Sequence, residues 1–182
     1  VSAYDIHFNH INDPSMYFGN QEMVIIDSGG YELSSGYDST ESVHFPYKPK
    51  DGYDINSYIK VLSKLDENDP IIITNFDYSA KGDSMENQII SAQTLFNKFP
   101  GLTHDFIVKP TGKNTYLDAE EIIGYIKKMQ KFQILGFTEK ELGGNLLDRM
   151  IKIAEIRHAL NEKSIKTPIH IWGGLDPLVS IL

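Results

Sequence analysis

One alternation constrains this chain more than anything else: five short apolar runs, each stopped by a polar residue or a glycine, separated by stretches with helical periodicity. The runs are Met23-Val-Ile-Ile-Asp27, Pro70-Ile-Ile-Ile-Thr-Asn-Phe-Asp77, Asp105-Phe-Ile-Val-Lys109, Phe132-Gln-Ile-Leu-Gly136 and Pro168-Ile-His-Ile-Trp-Gly-Gly174. Such short, continuous apolar runs read as strands buried on both faces, which in turn implies a parallel sheet covered by helices or closed into a barrel. Both architectures place ligands at the carboxyl ends of the strands.

The intervening stretches supply the helices. Ile55, Tyr58, Ile59 and Leu62 recur at helical spacing behind Asp54, a residue type that caps a first turn. A second helix is predicted over 84–99, with Met85, Ile89, Ala92, Leu95 and Phe96 on one side and Pro100-Gly101 as its stop. From Asp118, Glu121 completes a capping-box spacing, Ile122, Tyr125, Ile126 and Met129 form the stripe, and lysines follow where the helix dipole favours them. The last helix is predicted over 145–161, with Leu146, Leu147, Met150, Ile151, Ala154 and Leu160 inward. The expectation is one α/β domain over 1–182: a TIM-type (β/α) barrel of parallel strands with outer helices, incomplete because eight units usually need about 250 residues. A doubly wound open sheet is the competing topology.

Composition narrows the function classes. The formal charge of −8 counts against a broad positive surface that would bind nucleic acid through phosphates alone. Without cysteine, the chain offers neither a disulfide nor a thiolate zinc site. No apolar run has membrane-spanning length, and the first residues lack the basic start of a secretion signal, so the reading is a cytoplasmic protein with no membrane partner.

The chemistry-bearing residues fall at the strand ends: Asp27, Asp77, Lys109, Gly136 and the pair Gly173-Gly174. Two carboxylates, a cation and glycine backbone in one pocket suit acid–base work on a ligand that approaches main-chain donors. Read alone, Asp27-Ser28-Gly29-Gly30 is also an ordinary way to turn out of a strand.

The order of these pieces resembles the tRNA-guanine transglycosylase superfamily. Ile26-Asp27-Ser28-Gly29-Gly30-Tyr31-Glu32 is similar to its Asp-Ser-Gly-Gly-Phe-Gln signature. Asn75-Phe76-Asp77, with Met85-Glu86 after it, resembles the base-recognising aspartate and its following helix. Asp105-Phe-Ile-Val-Lys-Pro-Thr-Gly112 resembles a strand ending in Val-Gln-Gly-Gly, with Lys109 where the family has glutamine. Leu135-Gly-Phe-Thr-Glu-Lys-Glu141 is similar to Gly-Gly-Leu-Ala-Val-Gly-Glu, and His170-Ile-Trp-Gly-Gly-Leu-Asp-Pro177 to Tyr-Leu-Met-Gly-Val-Gly-x-Pro.

The resemblance implies exchange of guanine for a 7-deazaguanine in tRNA, or in DNA, through a covalent intermediate. By position Asp27 is the implied acid/base. Ser28, Gly29, Gly30, Tyr31, Asp77, Lys109, Gly136, Trp172 and Gly173 are the implied substrate contacts. Within that set Asp77 reads the guanine edge, Gly136 meets the carbonyl side, and Tyr31 and Trp172 stack on the ring. It places the nucleophilic aspartate and the zinc cluster beyond Leu182, so no cofactor or metal is expected within these residues, and it implies a homo- or heterodimer. Two alternatives stand beside it: a non-catalytic paralogue or subunit keeping a purine pocket, and an unrelated barrel enzyme using two acids and Lys109 on a small metabolite.

Other motifs carry less. Ser28 follows a strand in an α/β pattern and has no evident base, unlike a serine-protease nucleophile. His7 and His10 have helical metal spacing without a third ligand. His170 alternates with Ile169 and Ile171, which reads as a histidine bonded inside the barrel. The Ser-, Tyr-, Gly- and Pro-rich stretch 32–52 reads as a lid or a plain surface loop.

Overall fold

The computed structural model describes residues 1–11, 23–33, 52–80 and 82–173. The predicted lid falls almost wholly outside them, as do the side chain of Tyr31 and everything from Gly174 onward. Five strands form, one in each apolar run: β1 (Val24–Ile26), β2 (Ile71–Thr74), β3 (Thr103–Val108), β4 (Ile134–Thr138) and β5 (Ile169–Trp172). All pairings are parallel and the order is β1-β2-β3-β4-β5, a curled half-barrel. Among the described strands the order never reverses, so they contain no topological switch point of the doubly wound type. Right-handed crossovers between successive neighbours then carry every connecting helix to one side.

Side-chain alternation divides the two faces of the sheet. Ile26, Ile71, Ile73, Phe106, Val108, Leu135 and Phe137 point outward into one continuous core under the helices. Phe106 and Phe137 are fully buried there, each worth about 1.5–3 kcal/mol of burial. The concave face instead carries Thr74, Asp105, Ile107, Gly136, His170 and Trp172, as the contacts around Gly136 and Asp105 show.

The helices that cover the core are α3 (Ile55–Leu62), α4 (Met85–Phe96), α5 (Ala119–Met129) and α7 (Leu146–Glu162). Their starts follow from sequence: Asp54, Ser84, Asp118 and Asn145 each accept a backbone N–H of the first turn. The capping box at α5 does not close in the expected way, because the Glu121 carboxylate accepts the Thr111 hydroxyl at 2.7 Å. In α7 the inward face is Ile153, Ile156, Ala159 and Leu160, while Leu147, Ile151 and Ala154 are exposed. This helix has apolar residues on more than one side, and periodicity alone selects the wrong stripe. Three short helices complete the set: α1 (Ala3–His7), α2 (Gly30–Leu33) and α6 (Glu139–Leu142). The chain start lies along the β1 edge, with Asp27 N–H donating to Val1 O and Ala3 N–H to Asp27 O, both at 2.9 Å. Among the described residues no helix is long and apolar enough to cross a membrane.

Candidate functional site

Four strands deliver charged or hydroxyl groups to one place at their carboxyl ends. Asp77 follows β2 at the start of a 3-10 turn (Asp77–Ala80), with 9% of its surface accessible. One carboxylate oxygen accepts the Ser28 hydroxyl at 2.5 Å, and the other lies 3.0 Å from Lys109 Nζ. Lys109 also donates to Thr138 Oγ1 at 3.0 Å and to Glu141 Oε2 at 3.1 Å. Its three donors therefore meet three partners, drawn from the ends of β2, β4 and the α6 turn. Burial alone would depress the Lys109 ammonium, yet the charges of Asp77 and Glu141 prevail and hold its pKa above the ordinary lysine value. The cluster carries two carboxylates against one cation and is nearly closed to water, with about 12–16% of each of these side chains accessible.

Asp27 stands beside this cluster on the neighbouring strand. It is half-buried, its Oδ2 accepts the Gly29 N–H at 3.2 Å, and Ser28 links it through the chain to Asp77. Tyr58, fully buried with its hydroxyl donating to Thr74 O at 2.8 Å, is pushed far above the ordinary tyrosine pKa by burial first and then by both Asp27 and Asp77.

The glycines serve packing. Gly29 has φ +82°, where other residues are strained, and a Cβ on it would stand 2.7 Å from Tyr4 Cβ. A Cβ on Gly30 would meet Asp77 Oδ1 at 2.7 Å. The pair thus lets the turn after β1 settle against α1 and lets Asp77 approach. Gly136 lies inside β4, paired with Ile107 on one side and His170 on the other, so its N–H is directed into the sheet plane rather than toward the carbonyl of a ligand. Its missing side chain leaves room for Asp105 Oδ1, 2.6 Å from where a Cβ would be, and for Trp172 Nε1 at 3.0 Å. Gly173 is exposed, with φ +67°.

A second polar group, absent from the sequence-based candidates, sits on the concave face. Asp105 is fully buried, and its Oδ2 accepts from His170 Nδ1 at 2.7 Å and from Trp172 Nε1 at 3.1 Å. His170 is thus bonded within the half-barrel, as its alternation suggests. Asp105, Ile107 and Lys109 share one parity, so strand period could have placed Asp105 and Lys109 on one face. Nothing local announces Thr138 or Glu141. Asn75 is another structural partner: its amide donates to Ile107 O at 3.1 Å and its oxygen accepts Ile107 N–H at 2.6 Å, extending β2 by a side chain. His7 and His10 both lie against the Phe8 ring, and His10 Nδ1 is 3.2 Å from Asp5. Among the described residues no group of three His, Asp or Glu could hold a metal ion.

No family model matches the chain, and comparison with curated proteins and with solved structures returned no match.

Proposed function

We propose that the strand-end cluster binds a planar purine-type base, guanine or a 7-deazaguanine, and that the chain is the base-recognising part of a TIM-type barrel that exchanges this base in tRNA or DNA. The observation that carries the proposal is the placement of Asp27 and Asp77 at the ends of adjacent strands, with Ser28, next in the chain to Asp27, donating to Asp77. A single carboxylate can accept two neighbouring N–H groups of a guanine edge. Asp77 is suited to that role because Lys109 keeps Thr138 and Glu141 as partners when ligand N–H groups take its place on Asp77. The released lysine donor can then meet the carbonyl on the adjoining ring edge. Trp172, anchored through its indole N–H, offers a fixed face for stacking at the end of β5.

In base exchange the bond between the sugar C1′ and the base nitrogen breaks, the sugar passes to a carboxylate nucleophile, and the leaving base needs a proton. Asp27, half-buried and outside the Lys109 ion pairs, is the acid that supplies it and the base that recovers it from the incoming heterocycle. Titration calorimetry with 7-deazaguanine tests the reading. At about 1 mM base, where an interaction of roughly −4 kcal/mol half-saturates, heat is expected from the wild type and little from Asp77→Asn. No heat from folded wild type at that concentration overturns it.

A further inference from the structure

Lys109 and its partners occupy the rim of the concave face, level with Trp172, which is in register with Thr138; Asp105 and His170 lie deeper, on β3 and β5, across Gly136 of β4. Each part of this group limits the others. The Asp105 carboxylate is closed to solvent, so its geometry is set by its protein partners alone. A single oxygen receives both ring N–H groups, which pins the imidazole and the indole together, their centroids 4.6 Å apart. Gly136 is what permits this approach, because any side chain there would collide with Asp105 Oδ1 and crowd the indole nitrogen.

An imidazole whose Nδ1 faces a carboxylate carries its proton on Nδ1 and its lone pair on Nε2. In His170 the Nε2 atom has no hydrogen-bond partner among the described residues, and 31% of the side chain is accessible while Asp105 has none. A histidine needed only as a pin between two strands would satisfy both nitrogens or be covered. This one is held by the buried carboxylate at one nitrogen, leaves the other without a partner among the described residues, and stays partly open on the concave face.

We propose that His170 is a proton-transfer residue of the concave pocket, taking a proton at Nε2 from an N–H or O–H of the bound ligand, with Asp105 as the residue that positions it. The proton moves from the ligand to Nε2, forms an imidazolium opposite the Asp105 carboxylate, and returns along the same path; no other reactant takes part. The inference deepens the base-binding reading, in which the proton is a ring N–H of the heterocycle other than the one on the glycosidic nitrogen, which Asp27 serves. Its tests need no base, so their failure and a failure of the 7-deazaguanine titration are separate results.

The first test is long-range ¹H–¹⁵N NMR of the full chain, which reports histidine tautomers. Neutral His170 is expected with the proton on Nδ1, and Asp105→Asn should move it to Nε2, because a carboxamide N–H donates to Nδ1. A wild-type His170 protonated on Nε2 overturns the proposal, and that spectrum decides the point even if the variant does not fold. The second test is acylation by diethyl pyrocarbonate, read by peptide mass mapping, with His158, whose side chain is 74% accessible, as internal reference. His170 should react in the wild type and at least about tenfold more slowly in folded Asp105→Asn, with His158 unchanged. An unreactive His170, or one indifferent to Asp105, shows a structural pin and refutes proton transfer.

Discussion

Replacing Lys109 with methionine removes the one cation between two nearly buried carboxylates, and the structure sets the size of the effect. At an effective dielectric of about 20, each contact near 3 Å provides roughly 5 kcal/mol of attraction before desolvation is counted. Burial of the three ions offsets most of that sum. What the variant loses is therefore close to the cost of breaking a buried pair from one side, about 3–5 kcal/mol. Methionine keeps much of the stem volume, so a cavity adds little. Asp77 retains the Ser28 hydroxyl, whereas Glu141 loses the lysine ammonium that Thr138 cannot replace. Urea unfolding followed by circular dichroism at pH 7.5 should show the midpoint falling by about 2 M, taking a slope of about 2 kcal/mol per M. A loss below about 1 kcal/mol, the range of a surface pair, would refute the picture of a dry three-ion cluster.

Two further outcomes follow from the packing. Gly136→Ala should push Asp105 and the indole apart, costing about 1–3 kcal/mol and shifting the emission of Trp172, the chain's only tryptophan, with helix and strand content kept. Unchanged emission and stability would show that the crowding at Gly136 is relieved without cost. His104, stacked on Phe96 at 4.4 Å and hydrogen-bonded to Phe99 O, is held by burial below the ordinary histidine pKa of 6.5. Its folded-state pKa is depressed, so the stability it contributes is whole above pH 6.5 and is lost as pH falls through the folded value. His104→Gln should flatten that acid limb in urea titrations, and an unaltered limb would assign it elsewhere.

Much of the fold was legible because its signals are local. Every apolar run became a strand, Asp54 and Asp118 capped their helices as their positions suggested, and Ser84 and Asn145 proved to cap the helices predicted to begin there. Asp27 and Asp77 were visible as acids leaving strands, and their placement at one edge of the sheet needed only the parallel order. The candidate site was less complete. Lys109 was visible as a cation near the acids, but its partners Thr138 and Glu141 come from the end of β4 and from α6, about 30 residues away, and chain period carries no information on who meets whom at such a distance. Asp105 looked like the polar start of a strand and proved to be its most buried charge-bearing side chain. The glycines after Asp27 read as ligand-facing backbone, whereas Tyr4 and Asp77 fill the space beside them.

By itself, then, the order of residues determined the strand–helix rhythm, the helix starts and the polarity of each strand end, since backbone preference and side-chain alternation act over a few residues. Only the tertiary structure decided that the sheet curls in one direction, that α7 turns Ile153 and Ile156 inward rather than Leu147 and Ile151, and that Asp105 grips His170 and Trp172 across β4. Those choices rest on burial and ion pairing between segments far apart in the chain, whose energies exist only once the sheet brings them together.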